Sequence, residues 1–107
     1  MVLILDNELD VWKMKKVIVR GKNSRHSVLV YALSTCVWCG LTKQFLKDNN
    51  TRYNYVDVDL CDDEDREKIR NDIRSMGGSL VYPAVIIDKK VLITGFDKDK
   101  LKEVLEI

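Results

Sequence analysis

Two cysteines separated by two residues, Cys36-Val-Trp-Cys39, are the part of this sequence best suited to chemistry. Thiols at that spacing can close into a disulfide and pass on two electrons, or serve as two ligands of a metal. The flanking residues favour the first. Val28–Ala32 is an apolar, largely β-branched run that reads as a buried strand. Beyond the cysteines, Trp38, Leu41/Thr42 and Phe45 recur at helical spacing. Strand, Cys-x-x-Cys, then helix puts Cys36 at a helix N-terminus. Unpaired backbone N–H groups and the positive end of the helix dipole stabilise a thiolate there. Such placement lowers a cysteine pKa from ~8.5 to about 3.5–7.5, and the thiolate is the nucleophile. Cys39, one turn inside, is placed to attack a mixed disulfide formed on Cys36. The metal reading needs Cys61 and His26 to complete a Cys₃His zinc set. Structural zinc pairs sit on knuckles rather than between a buried strand and a helix, so the redox dithiol is preferred and no metal site is expected.

The other chemically capable residues have plainer readings. Cys61 precedes Asp62-Asp63, whose carboxylates oppose thiolate formation, so it is expected to be chemically quiet. His26 is the only histidine and falls in a polar loop, Gly21–His26; it is expected to be a solvated surface residue, with nothing pairing it to Cys36 as a base. The acidic run Asp57–Asp65 reads as a helix start, not a metal site.

The elements that must position the dithiol follow from pattern. Lys16–Arg20 reads as a strand, while Leu9, Val11, Trp12 and Met14 fit a strand and a short helix equally well. Asn49-Asn50 stops the helix that carries the cysteines, because Asn tolerates the left-handed C-terminal position. Tyr53–Asp59 alternates as a strand, Val56 and Val58 on one face and Tyr53 and Tyr55 on the other. Asp62 is an N-cap, followed by Asp63, Glu64 and Asp65 at the favourable end of the dipole. Ile69, Ile73 and Met76 make a helical stripe, closed by Gly77-Gly78. Ala84–Ile87 and Val91–Thr94 form a hairpin around Asp88-Lys89-Lys90. Asp97 caps a last helix that turns Leu101, Val104 and Leu105 inward. Two strands joined through a helix pair in parallel. The sum is an α/β fold.

Length and composition set the frame. The 107 residues read as one domain, 1–107, with an N-terminal extension over 1–26 and a core over 27–107. A net charge of +1 gives no call to nucleic acid or to an anionic membrane. Three cysteines do not make a secreted disulfide framework, and no apolar run approaches membrane-spanning length. A soluble, cytoplasmic, monomeric protein is expected.

The Cys36–Cys39 stretch, Val81-Tyr82-Pro83 before a strand, and Thr94-Gly95-Phe96-Asp97 before the last helix together resemble the glutaredoxin branch of the thioredoxin superfamily. The resemblance covers about residues 27–107. Gly95-Phe96 followed by a charged helix start looks closer to the NrdH-redoxin and archaeal or bacterial glutaredoxin-like group than to eukaryotic glutaredoxins. It implies a thioredoxin-like fold, a four-stranded mixed sheet flanked by three helices. The strand before Cys-x-x-Cys is central in such a sheet, so an added N-terminal strand is expected at the outer edge, beside Tyr53–Val58. The resemblance makes Cys36 and Cys39 the catalytic pair. It makes Pro83 a cis-proline facing them, and it makes Val37, Trp38, Val81, Tyr82, Pro83, Gly95, Phe96 and Asp97 substrate contacts. Val37 departs from the family's proline between the cysteines and so lacks its fixed φ. The activity implied is reduction of disulfides in proteins or small molecules, with no bound cofactor and electrons supplied by a small thiol or a flavin-dependent reductase. Two alternatives stand beside it: a [2Fe–2S] carrier with Cys36 as ligand, and a non-catalytic binding module. Family glutathione sites also use a basic residue upstream of the first cysteine and a Gly-Gly turn. Leu33, Ser34 and Thr35 precede Cys36 here, and Phe96 replaces the second glycine, so glutathione is expected to be a poor reductant.

Overall fold

The computed structural model describes residues 16–107; residues 1–15, with the reading of Leu9–Met14, lie outside the described residues. The elements are β1 (Lys16–Val19), β2 (Val28–Ala32), α1 (Val37–Asp48), β3 (Tyr53–Asp57), a 3-10 turn (Val58–Leu60), α2 (Asp63–Ser75), β4 (Ala84–Ile87), β5 (Val91–Thr94) and α3 (Lys98–Leu105). The strands form one mixed sheet in the order β1-β3-β2-β4-β5. β2 and β3, joined through α1, are parallel, with Val30 opposite Tyr55. β4 lies antiparallel to β2, and β5 antiparallel to β4. β1 pairs antiparallel with β3 at the outer edge, Lys16 opposite Val56, so the extension adds its strand where the resemblance placed it.

β2 and β4 are buried on both faces, which is why they read as unbroken apolar runs. Val28, Val30 and Ala32 of β2 point to one layer, with Val85 and Ile87 of β4, Phe45 and Leu46 of α1, and Leu101 and Leu105 of α3. Tyr31 points to the other, with Ala84 and Ile86 and with Ile69 and Ile73 of α2. Each large aliphatic side chain fully buried this way contributes about 1.5–3 kcal/mol. The Tyr31 hydroxyl also donates to Asp72 Oδ2 at 2.9 Å, tying β2 to α2.

The ends of the helices behave as their residues dictate. Asp62 Oδ1 accepts from Asp65 N at 2.8 Å and Asp97 Oδ1 from Lys100 N at 3.1 Å, the two expected caps. Asn50 takes φ 52° after α1 and Gly77 takes φ 77° after α2, closing both helices. The strand expected over Tyr53–Asp59 is shorter. It ends at Asp57, and Val58–Leu60 winds into the 3-10 turn. Val58 still reaches the layer of Val56, so the alternation of buried residues outlasts the strand that suggested it.

Candidate active site

The topology gathers the chemistry at one end of the sheet. β2 and β3 finish at that end, running to Cys36 and to Asp57 respectively. β4, antiparallel to β2, begins there just after Pro83. β5 finishes there, and Gly95 N continues its ladder by donating to Pro83 O at 2.7 Å. Cys36, Tyr82 and Phe96 accordingly lean on the same buried layer, the one that contains Cys39.

Cys36 is the N-cap of α1, with an extended backbone, and its Sγ accepts from Cys39 N at 3.3 Å. Sulfur here takes the place that a serine or aspartate oxygen fills at other helix starts. Cys39 is buried within the first turn, its Sγ accepting only a long 3.5 Å contact from Leu33 N. All three cysteines are free thiols. Burial raises the Cys36 thiol, but hydrogen bonding from the Cys39 side chain and from the Cys39 and Trp38 backbone, with the charge of Lys43, outweighs it. The net pKa lies below the ordinary thiol value. Burial, reinforced by the hydrogen bond with Cys36, pushes the Cys39 thiol up to about 12. Cys36 is thus the half-buried, more acidic thiol and Cys39 the shielded, less acidic one.

The loop ahead of Cys36 is braced by residues whose part was not apparent in the sequence. Ser34 N donates to Asp59 Oδ1 at 2.8 Å, and the Ser34 hydroxyl donates to Asp59 Oδ2. Hydrogen bonds from the Ser34 hydroxyl and amide hold the Asp59 carboxyl below the usual range. Arg66 of α2 donates to the Asp59 carbonyl at 2.8 Å. The 3-10 turn therefore clamps the approach to the dithiol. Lys43, a second unanticipated residue, donates to Asp57 Oδ1 at 3.1 Å on the cysteine-bearing helix. Its one sequence signal is its position four residues after Cys39.

The remaining candidate residues surround the pair. Val37 and Trp38 are 74% and 61% exposed beside Cys36. The stripe read as Trp38, Leu41/Thr42 and Phe45 resolves into a buried face of Cys39, Thr42, Phe45 and Leu46, with Leu41 exposed. The Tyr82–Pro83 bond is cis, and Pro83 is fully buried; Val81 is exposed and Tyr82 half-buried. Phe96 bridges Trp38 and Phe45, with ring centroids 6.5 and 6.1 Å away. Gly95 takes φ 76°, and Asp97 spends its carboxylate on the cap of α3.

His26 and Cys61 do not join them. His26 is not the freely solvated residue expected: Nδ1 is 2.7 Å from Asp88 Oδ2 and Nε2 3.4 Å from Glu106 Oε2. Cys61 is buried against α2 and donates to the Asp57 carbonyl at 3.6 Å. Among the described residues no three His, Cys, Asp or Glu side chains are grouped to hold a metal ion. None of the described helices is long and apolar enough to cross a membrane.

Sheet order, a Cys-x-x-Cys capping α1 and the cis-proline at the same end define a thioredoxin-fold protein of the dithiol class. The family model described as Glutaredoxin matches residues 28–92. A glutaredoxin-like 8.6 kDa protein from the rubredoxin operon of Clostridium pasteurianum is 33% identical over 74% of this chain and 97% of its own. The crystal structure of a glutaredoxin from Methanosarcina mazei Go1 superposes with a TM-score of 0.79 at 34% identity, covering 86% of this chain and 88% of that one. Methanoredoxin from Methanosarcina acetivorans gives a TM-score of 0.74 at 32% identity, over 78% and 88%. The chain belongs to the glutaredoxin family.

Proposed function

We propose that this protein is a thiol–disulfide oxidoreductase that reduces disulfides in proteins or small molecules through Cys36 and Cys39. The observation that carries the reading is the placement of the two sulfurs. Cys36 caps α1 with its Sγ accepting from Cys39 N at 3.3 Å, while Cys39 lies buried one turn inside, an arrangement that lowers the pKa of the first thiol and raises that of the second. The Cys36 thiolate attacks one sulfur of the substrate disulfide. A Cys36–substrate bond forms, the substrate S–S bond breaks, and the departing thiolate takes a proton from solvent. The Cys39 sulfur then attacks Cys36 Sγ, its proton passing through solvent to the departing substrate sulfur as the Cys36–substrate bond breaks. The Cys36–Cys39 disulfide forms and the second substrate thiol leaves, so two electrons have passed from the dithiol to the substrate. Val37, Trp38, Val81 and Phe96 offer an apolar rim to the incoming chain, beside the Tyr82–Pro83 backbone. The test is trapping. Cys39→Ser, having no resolving thiol, should accumulate mixed disulfides with partner proteins, while Cys36→Ser should not. Equal trapping by both variants would show the roles to be misassigned.

Electrons return from a small thiol other than glutathione or from a flavin-dependent reductase, and no resident cofactor is assigned. No lysine or arginine stands within three residues before Cys36, and Phe96 fills the turn where a glutathione carboxylate would approach backbone. Asp97 is engaged at its cap. One lost charge-assisted contact, ~1.5–3 kcal/mol, weakens binding by about one to two orders of magnitude. Steady-state reduction of a small disulfide by glutathione and its reductase should therefore be slow, and turnover like that of an ordinary dithiol glutaredoxin would reverse this assignment.

A further inference from the structure

Cys36, Cys39 and Lys43 fall at i, i+3 and i+7, so they share one face of α1. That face turns toward the sheet, because Cys39 is 1% exposed. A lysine following it inward must find partners for its ammonium. Lys43 Nζ sits 3.1 Å from Asp57 Oδ1 and 3.8 Å from the centroid of the Tyr55 ring, both on β3. The two charged side chains are only 22% and 18% exposed, so solvent and salt screen them weakly. β3 ends at the same end of the sheet as β2, which delivers Asp57 to the level of the dithiol.

Resting on the oxidoreductase reading, we infer that Lys43 is a positioning residue of the dithiol: a cation, fixed by Asp57 and Tyr55, that sets how strongly the pair oxidises its partners. The charge balance explains how. The reduced protein gains negative charge as Cys36 ionises, which its lowered pKa favours, whereas the Cys36–Cys39 disulfide is neutral. A fixed cation favours the reduced form, and a dithiol with a stabilised reduced form is the stronger oxidant. Asp57 opposes this by neutralising part of the lysine charge while holding it in place. The charge of Lys43 acts on both sulfurs in the lowering direction. Asp59, held by Ser34, and Arg66, held by the Val58 and Asp59 carbonyls, keep their charges in every variant and so drop out of the comparison.

A brace that merely ties α1 to β3 would make loss of either partner look alike, whereas an electrostatic role gives the two partners opposite signs. The test equilibrates wild type, Lys43→Met, Lys43→Arg and Asp57→Asn with mixtures of reduced and oxidised dithiothreitol, reading the disulfide fraction by alkylation and mass spectrometry. Lys43→Met should favour the disulfide, by roughly tenfold in the equilibrium constant, a potential about 30 mV more negative. Asp57→Asn keeps an amide oxygen to accept from Lys43 but removes the opposing charge, and should shift the equilibrium the other way. Lys43→Arg should stay near wild type. Shifts of the same sign in Lys43→Met and Asp57→Asn, or none in either, would overturn the inference. If Lys43→Met does not fold, Asp57→Asn decides alone: a shift toward the disulfide, or no shift, overturns it. Wild type that forms no Cys36–Cys39 disulfide in these buffers would overturn the oxidoreductase reading itself. A normal wild-type cycle with same-sign variants removes only the role of Lys43.

Discussion

Cys36 and Cys39 are the same amino acid three positions apart, and the start of α1 makes them different acids. Cys36 stands before the first turn, where amides point outward with no carbonyl to meet, and its sulfur collects the Cys39 N–H. Cys39 stands inside the turn, where the amides are spent and the surroundings are apolar; desolvation penalises its charged form. Reaction with iodoacetamide requires the thiolate, so the two should separate along pH. Modification of Cys36 should rise through a midpoint below the ordinary thiol range and level off above it. Cys39 should stay unmodified until far higher pH, consistent with a value of about 12. Peptide mapping after short alkylation pulses across pH reads both in one experiment, and coincident midpoints would refute the assignment. Val37 removes the fixed φ that proline supplies at this place, yet α1 still begins at Val37, with the Cys36 cap and Thr42 Oγ1 donating to the Trp38 carbonyl at 2.9 Å within the first turns.

Between elements, the loop from β1 to β2 is stitched to the end of α1. Asn23 N donates to Asn50 O at 2.8 Å, and Arg52 N donates to Asn23 O at 2.9 Å, around a parallel bridge from Asn23 to Thr51. Gly21 lets the loop approach the segment after α1 this closely. A Cβ there would lie 2.5 Å from Asn50 O and 2.7 Å from Arg52 N and Thr51 C. These are backbone atoms that cannot swing aside, so Gly21→Ala should cost about 1–3 kcal/mol. Thermal unfolding should show a midpoint several degrees lower, with the pH profile of Cys36 alkylation unmoved; an unchanged midpoint would mean that the loop gives way freely. The sequence made this loop visible only as polar residues between apolar runs. Elements were legible where one local pattern decided them. β2 and β4 are unbroken apolar runs, Asp62 and Asp97 precede amphipathic helices, and Cys36-x-x-Cys39 lies between a strand and a helix. The end of β3 was not, because Val58 is buried in a 3-10 turn as it would be in a strand. The partners of Lys43, Ser34 and His26 were not legible either, since each is brought close only by the folded sheet. Lys43 and Asp57 are 14 residues apart, Ser34 and Asp59 25, and His26 and Asp88 62.

Across the whole molecule, the dithiol occupies one end of the sheet and a charged clasp the other. His26 precedes β2, Asp88 lies in the β4–β5 turn, and Glu106 follows α3. Asp88 also accepts from Ser27 N at 2.9 Å, while its own N donates back to Ser27 O at 2.8 Å. The clasp therefore joins three elements that meet only in the native state. Hydrogen bonding to Asp88 raises the His26 pKa, opposed by desolvation and supported by Glu106; the same bond holds Asp88 below the usual carboxylate range. The signs of the two linkages differ. A raised histidine pKa stabilises the fold fully below the unfolded value, ~6.5, and that contribution disappears as pH rises through the folded pKa. A lowered aspartate pKa stabilises above the unfolded value, ~3.9, and is lost as pH falls through the folded pKa. Both act together between about pH 4 and 6.5. Wild type should therefore exceed His26→Gln in thermal stability most in that window. The difference should shrink on the alkaline side as the imidazole deprotonates, and again in strong acid as Asp88 protonates. High salt should reduce it throughout, since all three side chains reach solvent. Unfolding midpoints for both proteins, measured from acid to alkali at low and high salt, supply the curve. A difference that persists undiminished above neutral pH would assign His26 a packing role instead. Because the clasp lies at the far end of the sheet from Cys36, its loss should leave the alkylation profile of the dithiol where it was.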